Sequence, residues 1–95
     1  MKQLLIIGAR GWGREVYAML PNSLGYGVDF EMKGFLDDDN EALTGLNGYP
    51  LIIDSVEHYK PQPNDVFICA LGEPKWKKQY SEIILNKGGV TWKLH

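Results

Sequence analysis

A single cysteine, Cys69, and two histidines, His58 and His95, are all that this 95-residue chain offers to disulfide or soft-metal chemistry. One thiol cannot close an internal disulfide, and two histidines without ligand spacing give no metal site to propose. Basic charge is equally short: ten Lys and Arg against twelve Asp and Glu leave a net charge of -2. Such a chain has no field to draw it onto nucleic acid or anionic lipid. The N-terminal stretch MKQLLIIGARGWG has too short an apolar run, broken by glycines, for a signal peptide or a membrane helix. A cytoplasmic protein without membrane insertion is therefore expected. Internal repeats, low-complexity tracts and linkers are missing too, so one domain over residues 1–95 is the working organisation.

What is present is alternation of strand and helix patterns. Gln3 to Ile7 is almost wholly apolar and closed by Gly8, the pattern of a strand buried on both faces of a parallel sheet. From Trp12, the positions Trp12, Val16, Met19 and Leu20 recur at helical spacing until Pro21, which predicts a first helix of three turns. A turn-rich stretch over 22–29 precedes a second strand, Glu31 to Leu36, that runs into Asp37, Asp38 and Asp39. Residues 40–50 read as an irregular connection with a short edge strand, and Ser55 as the cap of a brief helix through Tyr59. Val66 to Ala70 is a second buried-strand pattern. Pro74 then opens a helix with the stripe Trp76, Tyr80, Ile83 and Ile84, Gly88 ends it, and Val90 to Leu94 forms a last strand. The order implies βαβ units with right-handed crossovers: a small Rossmann-like α/β domain of three layers around a short parallel sheet. The chain stops directly after a strand, which predicts that further protein follows it.

Three loops carry the candidate chemistry. Gly8-Ala9-Arg10-Gly11-Trp12-Gly13 lies between a buried strand and a helix, the context in which a glycine-rich loop binds phosphate. Gly8 permits the turn, Gly11 lets backbone approach a ligand, and Gly13 lets the helix pack on the sheet. The spacing is GxxGxG, not the dinucleotide GxGxxG, so a nucleotide in general is supported more than a nicotinamide or flavin. Arg10 can add a bidentate phosphate contact or stay solvated, and Trp12 can stack on a ligand ring or join the helix stripe. Asp37 and Asp38 end the second strand, where a Rossmann half places the acid that accepts ribose hydroxyls; the alternative is a wet acidic turn. Ala70, Leu71, Gly72 and Glu73 follow the strand expected beside the first, across the topological switch point. Lys75, Lys77 and Lys78 can supplement phosphate binding but read more readily as a solvated helix face, and Cys69 reads as a core residue, not a nucleophile. No catalytic acid–base pair or triad can be assembled.

IIGARGWGREV, GFLDDD, LNGYPLI and VFICALGEPKWKKQYSEI, followed by WKLH, resemble in order the N-terminal domain of bacterial sugar acetyltransferases, the PglD-type and sialic-acid O-acetyltransferase-like enzymes of glycan assembly. The resemblance implies a Rossmann-like domain that binds a UDP-linked amino sugar. In that family a following left-handed β-helix binds acetyl-CoA, forms a homotrimer and supplies the catalytic histidine. This chain holds no hexapeptide repeat, and His95 matches the histidine that ends the N-terminal domain. The resemblance thus implies no catalysis by the isolated chain, which is expected as a monomer or weak dimer. It sets Gly8 to Gly13 toward the diphosphate or sugar, Asp37 and Asp38 toward uridine, and Ala70 to Glu73 across the crevice. Arg10, Trp12 and Glu73 depart from the familiar residues and alter what fits. Two alternatives stand beside it: an NAD(P) or adenine-nucleotide module, and a structural domain without a ligand.

Overall fold

The computed structural model describes residues 1–92. Its sheet grows from β1, Lys2–Ile7, whose last four side chains have no polar atom to offer water and are buried on both faces. β1 pairs in parallel with β2, Phe30–Leu36, on one side and with β4, Asp65–Cys69, on the other. Short strands β3, Ile52–Asp54, and β5, Val90–Trp92, close the edges, in the order β3-β2-β1-β4-β5. Chain order runs outward from β1 through β2 to β3, then returns past β1 to β4. The reversal falls between β1 and β4.

Alternate side chains of the strands divide the core between two faces. Leu4, Ile6, Phe35, Val66 and Ile68 pack on Val16 and Leu20 of the first helical segment. Leu5, Ile7, Leu36, Phe67 and Cys69 pack on Val56, Tyr59 and Ile84 from the opposite side. Helix α1, Gly11–Met19, thus covers one face, and the 56–59 turn with helix α2, Pro74–Asn86, covers the other. The domain is Rossmann-like and α/β, and each of these buried aliphatic or aromatic side chains contributes roughly 1.5–3 kcal/mol.

Local chemistry shifts several expected boundaries. The edge strand falls at 52–54 instead of within 40–50, because Gly45 and Gly48 hold φ of 82° and 85°, a conformation that breaks a strand. Ser55 caps one turn, not a helix: its hydroxyl accepts the His58 N–H at 3.2 Å and its carbonyl the Tyr59 N–H at 3.1 Å. Pro61 disfavours helical geometry at Lys60 and ends the segment. Lys87 seals that turn by donating to the carbonyls of Val56 and Tyr59, each at 3.0 Å, and of Glu57. Gly88 terminates α2 as expected, with φ 85°. The last strand is described to Trp92; its expected continuation through Leu94, and His95, lie outside the described residues.

Strand β2 carries one extra residue opposite β1. Leu4 pairs with Met32 and Leu5 with Gly34, so Lys33 stands unpaired in a bulge. Its ammonium donates to the Tyr59 hydroxyl at 2.7 Å and to Asp65 Oδ1 at 2.9 Å, and the Tyr59 hydroxyl donates to Asp65 Oδ2 at 2.5 Å. This network ties the β3–β4 connection to the end of the sheet remote from the three candidate loops. Burial and the bond to Asp65 together raise the Tyr59 phenol above its ordinary range.

Candidate ligand cleft at the switch point

The first loop is shaped by Gly8, whose φ of 100° suits glycine alone and whose Cβ, if present, would lie 3.0 Å from the Ala70 carbonyl oxygen. The loops after β1 and β4 are therefore in contact at the point where strand order reverses. Helix α1 starts immediately beyond. Its first intrahelical bond runs from the Arg14 N–H to the Arg10 carbonyl at 3.0 Å. The N–H groups of Gly11, Trp12 and Gly13 precede that bond, and the N-cap side chain, Arg10, makes no capping contact. This is the polarity that favours an anion.

The acidic loop after β2 is locked to the first. Asp37 accepts the Ala9 N–H at 2.8 Å through Oδ2 and the Asp39 N–H at 2.9 Å through Oδ1. Arg10 donates to Asp39 across the same gap, with 70% of its side chain exposed. An ion pair that open is worth at most about 1 kcal/mol, so Arg10 can exchange Asp39 for a more highly charged anion at little cost. Asp38 accepts a hydrogen bond from the Tyr80 hydroxyl of α2 at 2.6 Å. That bond, with partial burial, pushes the Tyr80 phenol up to about 12, so it remains a donor through the physiological range.

Gly8, Arg10, Asp37, Asp38, Leu71 and Tyr80 together border a cleft of about 150 Å³ at the switch point. Asp37 and Asp38 also wall a larger hollow of about 390 Å³ toward β3, with Asp54, Ser55 and His58 on its far side. Leu71 and Tyr80 are shared with a groove of about 300 Å³ that Gly72, Glu73 and Trp76 complete. The three expected loops thus meet along one edge of the sheet. Ala9, Gly11, Trp12, Gly13 and Ala70 line none of these three hollows. Ala9 and Ala70 are buried, and Ala70 donates its N–H to Ile7 at 2.9 Å.

Two stripe residues behave differently from their pattern. Trp76, expected to pack along its helix, is 44% exposed, and Trp12, given either to a ligand ring or to the helix stripe, is 45% exposed. Both lie in the first turns of their helices, on the side that faces solvent. Trp12 instead faces Lys77, whose ammonium lies 5.9 Å from its ring centre. Met19 is exposed as well. Tyr80 packs against the core as the periodic reading has it and also borders the cleft, a second role that its place two turns into a helix starting at the carboxyl edge of the sheet could have signalled.

Cys69 is buried, as its apolar run implies, and its thiol donates to the Lys77 carbonyl at 3.7 Å. Burial pushes that thiol up. Iodoacetamide should leave Cys69 unmodified in the native domain at pH 8 and label it fully in urea, read by intact mass. Rapid native labelling would show that the β4–α2 junction opens.

No helix among the described residues is long and apolar enough to cross a membrane. Among the described residues there is also no group of three or more His, Cys, Asp or Glu placed to hold a metal. No curated protein matches the chain. The family model described as PglD N-terminal domain matches residues 3–84, which include β1, both acidic and glycine loops, β4 and most of α2. With that match on a parallel sheet whose three candidate loops converge, the chain belongs to the PglD N-terminal domain family, the N-terminal domains of sugar acetyltransferases.

Proposed function

We propose that this domain holds a nucleotide-sugar, a UDP-linked amino sugar, along the carboxyl edge of its sheet. The observation that carries the proposal is the convergence of Gly8, Arg10, Asp38 and Leu71 on one cleft where the strand order reverses. Ligands of open α/β sheets bind at such points. The division of charge suits a nucleotide diphosphate. Arg10 and the uncapped start of α1 attract phosphate, while Asp38 offers an acceptor to ribose hydroxyls. Asp37 has each oxygen engaged by a backbone N–H, so its part is to hold the two loops in register.

Acetyl transfer belongs, in this proposal, to the intact cytoplasmic enzyme. There a left-handed β-helix binds acetyl-CoA and assembles the homotrimer, and the present domain delivers the acceptor sugar. Calorimetric titration of the chain with UDP, a UDP-amino sugar, NAD and acetyl-CoA tests the assignment. Uridine ligands are expected to bind and the other two not; selective NAD binding would transfer the domain to a different class. Gly11→Trp supplies the steric check, because a Cβ at Gly11 meets nothing within 4 Å and the variant should fold. It should weaken UDP binding by about tenfold or more, equivalent to about 1.4 kcal/mol. Unchanged affinity would remove the diphosphate from the start of α1.

A further inference from the structure

Helix α2 presents an aromatic surface to solvent beside the cleft. Trp76 and Tyr80, one turn apart, have ring centres 6.3 Å apart and planes tilted by 33°. Together with Leu71 and Gly72 they line the groove of about 300 Å³. That groove is continuous with the switch-point cleft through Leu71 and Tyr80. Burial does not account for Trp76, which is 44% exposed, whereas Ile84, two turns further along the same helix, is fully buried. Tyr80 is fixed at both ends of its function: its hydroxyl is bonded to Asp38 and its ring stands beside Trp76.

We propose that Trp76 and Tyr80 form a stacking subsite for the nucleobase of the ligand, with Tyr80 also positioning Asp38 for the adjoining ribose. The proposal rests on the nucleotide-sugar reading above and adds to it the place and the surface of the base. Leu71, which closes on Gly8, and Tyr80 belong to both the cleft and the groove. A nucleotide whose phosphates meet Arg10 and whose ribose meets Asp38 has the Tyr80 ring, which donates to Asp38, beside that ribose, and the groove continues from this ring to Trp76. Indole and phenol faces stack on any base at low entropic cost. Glu73 on the rim supplies an acceptor for a ring N–H. Tyr80 remains un-ionised, since its bond to Asp38 and its burial push it up to about 12, and its hydroxyl goes on orienting Asp38 as a donor.

The test is UDP titration of the wild-type chain, Trp76→Ala and Trp76→Phe, followed by calorimetry and by the indole N–H resonances. Trp76→Ala should weaken UDP about tenfold with the unfolding midpoint unchanged, and Trp76→Phe should restore affinity to within about twofold, as stacking on any aromatic face requires. The Trp76 indole resonance, identified by its loss in Trp76→Phe, should move on UDP addition. Unchanged UDP affinity in Trp76→Ala would overturn the subsite while leaving the nucleotide-sugar reading standing. Equal losses in the two variants would also overturn it, since an aromatic ring would then not be what matters. Loss of affinity for a UDP-amino sugar, with none for UDP, would give the groove to the sugar and overturn the base assignment. Absence of UDP binding by the wild-type chain would overturn both readings together.

Discussion

Gly13→Ala should leave the domain largely unfolded, while Gly11→Ala, two residues earlier in the same loop, should fold normally. A Cβ on Gly13 would sit 1.8 Å from the Gly8 carbonyl oxygen and 2.8 Å from its carbon. Both are backbone atoms, so no side chain can rotate to make room. Gly8 cannot retreat, because it holds φ 100° against the Ala70 carbonyl. Relief requires α1 to lift off β1, which uncovers Val16 and Leu20 from the core face they close. A loss of about 4 kcal/mol or more is expected, the range reserved for clashes and core disruption. That is most of the stability of a small domain at the lower end of the usual range of roughly 5–15 kcal/mol. At Gly11 the Cβ meets nothing within 4 Å, and alanine there is favoured over glycine by up to about 1 kcal/mol where the backbone is helical. Urea unfolding followed by circular dichroism separates the two. A Gly13→Ala protein with the wild-type midpoint would mean that α1 starts farther from the strand.

The same contrast marks what could be read from residues alone. Gly8 and Gly13 have roles that follow from the strand–loop–helix context, and β1, β4 and the alternation of elements follow from apolar runs that only a doubly covered sheet can bury. Asp37 and Asp38 were placed correctly at a strand end. Their division of labour was not legible, because it depends on which neighbour each carboxylate meets: backbone N–H groups for Asp37, the Tyr80 hydroxyl for Asp38. Helical periodicity misplaced Trp76 and could not decide Trp12, for one reason. A stripe predicts which residues share a helix face, not what lies against that face at each turn. Lys33 was invisible for a related reason. A bulge adds one residue to β2; Gly34 inside the run FEMKGFL is the mark such a bulge leaves, but it does not say that Lys33 is the residue that slips out of pairing.

Lys33→Met should cost about 3 kcal/mol at pH 7, and the deficit should shrink as the solution is acidified. The Asp65 carboxylate is almost wholly buried, with 1% of its side chain exposed, while Lys33 is 28% exposed. Removing one partner of a buried pair costs about 3–5 kcal/mol, and the partial exposure of Lys33 sets the expectation at the lower end. Burial by itself would raise the Asp65 carboxyl. The hydrogen bonds from Tyr59, Lys33 and the Gln62 N–H outweigh it and hold the group below its ordinary 3.8. The native state therefore holds this proton less tightly than the unfolded chain. The stabilisation is complete above about pH 4 and is lost as pH falls through the depressed native value. For Lys33 burial again opposes, and the bonds to Tyr59 and Asp65 prevail to raise it above 10.5. Its contribution is complete below 10.5 and is lost as pH rises through the raised native value. With methionine at 33 the carboxyl loses its ammonium, burial gains weight, and a proton neutralises the group more readily than in the wild type. Urea unfolding at pH 7 and pH 3 should therefore show a gap between the two proteins that narrows at pH 3. A gap of equal size at both would assign the loss to the packing of the Lys33 stem rather than to the charge of Asp65.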